Sequence, residues 1–426
     1  MMLPVMQLYA FILGRKHLLS IAELCRTLPK TAKILDISTE GLVAALETPM
    51  DHPQSALNRL GGTIKIAEVF NEDIISTSQI ADATGSYLAE RFAGAESKFP
   101  YALSLYSFGQ KPDHVLRKTL NSIKKILVSA GLKSRFINKN FQNPESAAIN
   151  GEKLLSKGAE IVAIKGSKKI FLGRTVALQD FEDYGRRDFS RPERDPRLGM
   201  LPPKLCQIMI NICGTALSAS AAQTFDVRKS SKIVYDPFCG IGTVLAEALL
   251  MGYDAVGSDI DPDILTKCGT NMDWLKKTYP AIPGNTRLFA HDATKIANDD
   301  LPETIDLVVT ESYLGPPVSR MPLPENVHRT FLNITAIVSD FFRALHPLIQ
   351  NDTPVAICLP FYRDQHKFHF IPGIVEKISD MGFTAEEPIP KEITEKFGIH
   401  GTNRLSLIYD RPDQIVGREI FVFRRK

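Results

Sequence analysis

Short apolar runs alternate with helix-spaced stripes along most of this chain. In the first eighty residues the run 8–13 predicts a strand. Ser20, with Glu23 three residues on, has the form of a capping box and predicts a helix start. Strands are predicted at 33–37 and 42–46, a helix near 52–60 and a strand near 64–70. Residues 81–180 repeat the alternation. A strand at 99–107 precedes a helix at 115–129, with apolar positions 116, 120, 123 and 127 and basic positions 118, 124 and 125. A strand at 134–137 and a short helix at 150–155 follow. Strands at 160–165 and 169–177 then pair across a Gly-Ser turn.

The stretch 181–199 breaks the rhythm. Five arginines (186, 187, 191, 194 and 197) are mixed with five acids, and Pro192 and Pro196 discourage regular structure. Beyond it, Pro202 and Pro203 open a helix, where a missing amide hydrogen costs little. Leu205, Ile208, Met209 and Ile212 form its apolar stripe. A strand ends at Tyr235, and later strands are predicted near 253–258, 286–290, 305–310 and 353–360. The end reads as two strands, 402–410 and 416–424, around the turn 411–413.

Composition narrows the class. At 426 residues the chain favours two or three domains. The formal charge of +3 neither announces nor excludes nucleic acid, for which a local basic face suffices. Six cysteines lie scattered with no Cys-x-x-Cys pair, so neither zinc nor a disulfide framework is expected. His366 and His369 have no third ligand nearby in sequence, which argues against a metal. No segment approaches eighteen uncharged apolar residues, and the first residues lack a basic leader. A reducing cytoplasm, with no membrane attachment, is the expectation.

The chemistry concentrates at 233–243. The strand Ile233-Val234-Tyr235 runs into Asp236, a tight turn with Gly240 and Gly242, and a helix from about Thr243. A second apolar run ends at Asp259, sixteen residues past Thr243. Glycines let a ligand approach the backbone, and an acid at a strand end can hold a ribose diol. The spacing is neither the dinucleotide fingerprint nor a polyphosphate loop. These residues resemble motif I of the class I S-adenosylmethionine-dependent methyltransferases, in the wording of nucleic-acid amino-methylating enzymes. The resemblance implies a Rossmann-like seven-stranded α/β sheet over 200–426. It also implies a turn (Asp236, Pro237, Phe238, Cys239, Gly240, Gly242 and Thr243) wrapped around the methionine part of the cofactor. Asp259 and Ile260 would lie at the ribose, and Asp292 with Ala293 at the adenine. Read without the resemblance, Asp292 is equally a cap for the segment near Thr294.

At the end of the fourth catalytic strand, amino methyltransferases usually read Asp/Asn-Pro-Pro-Tyr/Phe. Here Glu311 takes the acidic position, and Ser312 and Tyr313 replace the prolines. Leu314 takes the aromatic position, and Gly315 is kept. The resemblance makes Glu311, Ser312 and Tyr313 catalytic candidates, with Leu314 and Gly315 against the target base.

The opening at 9–15 and 19–24, and the segment from Arg186 to Asn211, resemble the tRNA guanosine-N2 methyltransferases of the archaeal and eukaryotic kind acting at position 10. That family implies a ferredoxin-like domain over 1–80 and a THUMP-like RNA-binding domain over 81–180, with Phe141-Gln142-Asn143-Pro144 as a matching loop. It further implies an arginine-rich linker over 181–199 whose Arg186, Arg187, Arg191 and Arg194 meet RNA. The implied activity is methyl transfer to N2 of a guanine in tRNA by a monomer. A small activator subunit is known for some relatives, but nothing in the sequence requires one. Ribosomal RNA methylation, DNA amino methylation, and an RNA-binding protein that keeps only the cofactor fold are the alternatives.

Overall fold

The fold is described from a computed structural model over residues 6–109, 112–194, 200–214, 232–302, 304–365, 367–412 and 414–426. Apolar runs of the N-terminal part become β1 (Gln7–Leu13), β2 (Lys33–Ile37), β3 (Gly41–Leu46), β4 (Thr63–Ile74), β5 (Phe99–Tyr106), β6 (Ser134–Phe136), β7 (Ala159–Lys165) and β8 (Ile170–Leu178). They form one eight-stranded sheet in the order β2-β3-β1-β4-β8-β7-β5-β6. Residues 1–80 and 81–180 therefore share a sheet. The join is β4, which outruns its apolar stretch: its polar second half pairs with β8, Asn71 opposite Leu172 and Ile74 opposite Ile170. On β7, buried Glu160 accepts from Lys65 of β4 at 2.5 Å, Ser104 of β5 at 2.6 Å and Thr175 of β8 at 2.7 Å. One satisfied carboxylate thus ties four strands.

The C-terminal part forms the seven-stranded sheet expected from the sequence. Its strands are β9 (Ile233–Asp236), β10 (Asp254–Asp259), β11 (Thr286–Ala290), β12 (Leu307–Glu311), β13 (Pro354–Asp364), β15 (Phe383–Ala385) and β17 (Val416–Arg425). The order is β11-β10-β9-β12-β13-β17-β15, and β17 runs antiparallel to both neighbours. Two short strands, β14 (Lys367–His369) and β16 (Leu407–Tyr409), add to β13 and β17. Strands β14 and β15, three residues each, are too short to show a period in sequence. His366, Arg197 and Asp413 lie outside the described residues.

Two expectations fail for local reasons. The first helix spans His17–Thr27, so Ser20 sits inside it and no capping box forms. Ser20 Oγ donates instead to the Gly62 carbonyl at 2.7 Å. Glu23 is fully buried and accepts from the Gly61 and Gly62 amides at 2.9 and 2.8 Å and from Asn211 Nδ2 at 2.7 Å. Asn211 belongs to the Pro203–Cys213 helix, so this carboxyl bridges the two parts of the chain. The stretch 181–199, expected to be irregular, begins as a helix over Phe181–Phe189. Both prolines fall after that helix. Asp180 caps it by accepting from the Asp183 amide at 3.0 Å.

Removing the Glu23 carboxyl strands two backbone donors and one amide in a buried seam. Glu23→Ala is expected to lower unfolding stability by about 3 kcal/mol in urea denaturation. A loss below about 0.5 kcal/mol would show that the seam rearranges freely.

Candidate active site

The glycine turn is built by strand geometry. Asp236, the last residue of β9, is buried. Its Oδ1 accepts from the Phe238 amide at 3.2 Å and from Thr310 Oγ1 of β12 at 2.6 Å. Burial pushes its carboxyl up to about 7. The turn then needs two left-handed residues, Gly240 (φ +52°) and Gly242 (φ +88°). At Gly242 a Cβ would stand 2.6 Å from Cys268 Sγ, so glycine also admits the neighbouring helix. At Gly240 a Cβ would meet nothing within 4 Å, which leaves the backbone open to a ligand.

Asp259, at the end of β10, faces this turn. Its Oδ2 accepts from the Gly240 amide at 3.0 Å and its Oδ1 from the Asp261 amide at 3.1 Å. Each oxygen keeps a lone pair for a hydroxyl. Ile260 follows with 70% of its surface exposed, an apolar platform beside the acid. An open glycine, an acid with spare acceptors and an exposed aliphatic side chain fit a nucleoside with a charged tail. Asp292 caps a short 3-10 turn, accepting from the Thr294 amide at 3.0 Å and its hydroxyl at 2.7 Å. The Thr294 hydroxyl, followed by its amide and Lys295, holds the Asp292 carboxyl below its ordinary range against partial desolvation. Ala293 is buried behind it.

Glu311 closes β12 in a surrounding the sequence does not show. Arg418 of β17 donates through Nε to Oε1 at 2.5 Å and through Nη2 to Oε2 at 3.4 Å. Burial raises the Glu311 carboxyl and the Arg418 guanidinium draws it back down. Its side chain keeps 15% exposure, with both carboxylate oxygens engaged by Arg418. Ser312 is buried, its amide and hydroxyl both donating to the Cys358 carbonyl at 3.1 Å. Tyr313 is 45% exposed beside it. Leu314 is half-buried. Gly315 has φ +91°, and a Cβ there would lie 2.8 Å from Thr330 of the Pro324–Leu345 helix.

The linker arginines divide. Arg187 is buried in an ion pair with Glu247 and stacks over Tyr184. Arg191 is buried and donates to Thr243 Oγ1 at 2.7 Å. These two anchor the linker to the helix after the glycine turn and do not face solvent, contrary to the expectation that they meet RNA. Arg186, ion-paired with Asp183 at 3.4 Å, and Arg194, over the Phe189 ring, are exposed. Thr310 and Arg418 went unread in sequence. The signal for Arg418 was a charged pair, Arg418-Glu419, directly before the apolar run Ile420-Phe421-Val422-Phe423. Among the described residues no cluster is arranged to hold a metal, and no helix is long and apolar enough to cross a membrane.

No protein-family model matches the chain. Over 167 residues it is 28% identical to the tRNA (guanine(10)-N2)-dimethyltransferase of Pyrococcus abyssi, a stretch that covers 38% of this chain and 42% of that protein. The enzyme of the same name from Methanothermobacter thermautotrophicus is 28% identical over 168 residues, 39% of this chain and 43% of that one. The chain thus spans less than half the length of the curated relatives it matches. The crystal structure of TrmN from Thermus thermophilus superposes with a TM-score of 0.50 at 14% identity, covering 99% of this chain and all of that one. That likeness shows a shared multidomain α/β fold with a class I methyltransferase-type sheet.

Losing one member of the Glu311–Arg418 pair leaves a buried charge alone. Arg418→Met is expected to cost about 3 kcal/mol of stability, and adding Glu311→Gln is expected to recover part of it. A double-mutant cycle by chemical denaturation checks this. Strict additivity would mean the two groups do not interact.

Proposed function

We propose that this chain, related in sequence to the tRNA guanine-N2 methyltransferases and built on the class I methyltransferase fold, transfers a methyl group from S-adenosylmethionine to the exocyclic N2 amine of a guanine in tRNA. Position 10 is the target named for its archaeal relatives. The observation that carries the reading is the Asp259–Gly240 contact across an open, left-handed glycine turn. It stands on the same sheet as an acid at the end of β12. In this reading residues 1–80 and 81–180 are the ferredoxin-like and THUMP-like parts that bind RNA. The chain works in the cytoplasm as a monomer, with no second subunit required.

Bound S-adenosylmethionine would supply the electrophilic methyl group. The chain supplies orientation. An exocyclic amine is a poor nucleophile because its lone pair is delocalised into the ring. Arg418 fixes the plane of the Glu311 carboxylate, and a lone pair left on its oxygens accepts an amine hydrogen as positive charge develops on nitrogen. The Ser312 carbonyl is the second acceptor in this scheme. Tyr313, half exposed, stacks on a base turned out of its helix. The buried Glu311–Arg418 pair also favours a second reading, a cofactor-binding RNA protein whose acid serves structure alone.

Tritiated methyl transfer into unmodified tRNA, ribosomal RNA and DNA, followed by nucleoside analysis, separates these readings. The expected product is N2-methylated guanosine in tRNA. Tight cofactor binding with no transfer to tRNA would leave the second reading. Glu311→Gln is expected to cut single-turnover transfer at least about tenfold, roughly 1.4 kcal/mol.

Asp236 yields a separate test. Its carboxyl is pushed up to about 7, and a cationic ligand prefers the ionised form. The ionised fraction rises with pH, so cofactor affinity is expected to increase about tenfold from pH 6 to pH 8. Asp236→Asn is expected to abolish that slope in calorimetric titrations.

A further inference from the structure

A cavity of about 880 Å³ opens between the N-terminal sheet and the catalytic part, away from the glycine turn. One wall is the Phe181–Phe189 helix. Phe181, Gly185 and Phe189 are spaced four residues apart and so share a helix face. Phe181 is 41% exposed and Phe189 is 63% exposed, so two apolar rings on one helix face meet solvent at the cavity. Their backbones stand roughly 12 Å apart along the axis by helical rise. At Gly185, between them, a Cβ would meet nothing within 4 Å. The result is a gap flanked by two rings.

Arg15 and Arg411, both exposed, line the same cavity, as does Tyr409, to which Arg411 Nε donates at 3.3 Å. Arg194 lies over one face of the Phe189 ring. Lys16 and Lys204 also line the cavity but are spent, on Asp410 and Gln179. Two acids line it as well, Asp188 and Glu40, the latter accepting from the Ser107 amide. The cavity connects to the candidate active site through β16. Tyr409 is the register partner of Arg418, which holds Glu311.

We propose that this cleft binds unpaired bases of an RNA strand, stacked on Phe181 and Phe189, with Arg15 and Arg411 on the flanking phosphates. Aromatic faces with arginine beside them bind any base by stacking and track the backbone by charge. An apolar peptide would have no use for the arginines. The inference rests on RNA being the substrate and gives the linker helix its role: the arginines expected to meet RNA are partly buried, and the phenylalanines beside them are offered instead.

Gly185→Leu tests it by filling the gap. Replacing glycine inside a helix raises helix propensity, so the fold is retained. A Cβ at Gly185 meets nothing within 4 Å, so the new side chain starts into open space rather than against the glycine turn or Glu311. Anisotropy with a labelled single-stranded oligoadenylate is expected to show binding weakened about tenfold by Gly185→Leu, and likewise by Phe189→Ala. With tRNA as methyl acceptor, KM is expected to rise, with kcat and cofactor affinity unchanged. Unaltered oligoadenylate binding in both variants overturns the proposal. So does adenosine monophosphate competing as strongly as the oligonucleotide, which would assign the gap to a free nucleotide. If the wild-type protein methylates no RNA yet binds oligoadenylate with the expected sensitivity, the methyltransferase reading fails and the cleft assignment stands.

Discussion

A buried carboxyl with no cationic partner among the described residues, Glu23, is the constraint on which the rest of this molecule depends. It lies in the first helix, accepts from two successive glycine amides, and reaches Asn211 at the start of the C-terminal part. Burial pushes it up to about 7. The three donors are therefore needed to keep it in place. The glycines leave no slack. A Cβ on Gly61 would stand 2.1 Å from the Lys204 carbonyl, and one on Gly62 would stand 2.7 Å from the Ser20 backbone. The helices His17–Thr27 and Pro203–Cys213 are thus locked across one turn. The N-terminal sheet is thereby held against the C-terminal sheet.

The linker helix uses that arrangement. Tyr184 is buried and its hydroxyl donates to Gln207, while Arg187 pairs with Glu247 and Arg191 reaches Thr243. One side of the helix is consumed by packing and the other presents Phe181 and Phe189 to the cleft. An arginine-rich segment here acts first as a strut. Its basic residues position the helix that follows the glycine turn, and Phe181 and Phe189 face the cleft beside the N-terminal sheet.

At that strand end, charge is managed differently from what the tetrapeptide alone implies. Glu311 is one methylene longer than the usual aspartate. Arg418, reaching across from the antiparallel strand β17, takes up that length by gripping both oxygens. Ser312 is drawn down to Cys358 in place of a proline's rigidity. A longer acid with a guanidinium behind it and a hydroxyl tether beside it forms a coherent substitute for a short acid stiffened by prolines.

The sequence alone determined the parallel strands β9 to β13 of the C-terminal sheet, the glycine turn and the acid of the second strand, because each depends on local geometry. A turn with two positive φ angles demands glycine, and a strand-end acid sits at a fixed distance along the chain. Periodicity also located most N-terminal strands and the amphipathic helix Asp113–Ser129. What only the tertiary structure decided were pairings between residues far apart in sequence. These include β4 with β8 in one continuous sheet, Glu23 with Asn211 in place of a helix cap, Arg187 with Glu247, and Arg418 with Glu311. A charged side chain in a sequence reads as solvated or functional until its neighbours are known. Whether it is spent on another buried charge depends on which strands and helices the fold brings together, and that is set by the packing of the whole chain rather than by any window of it.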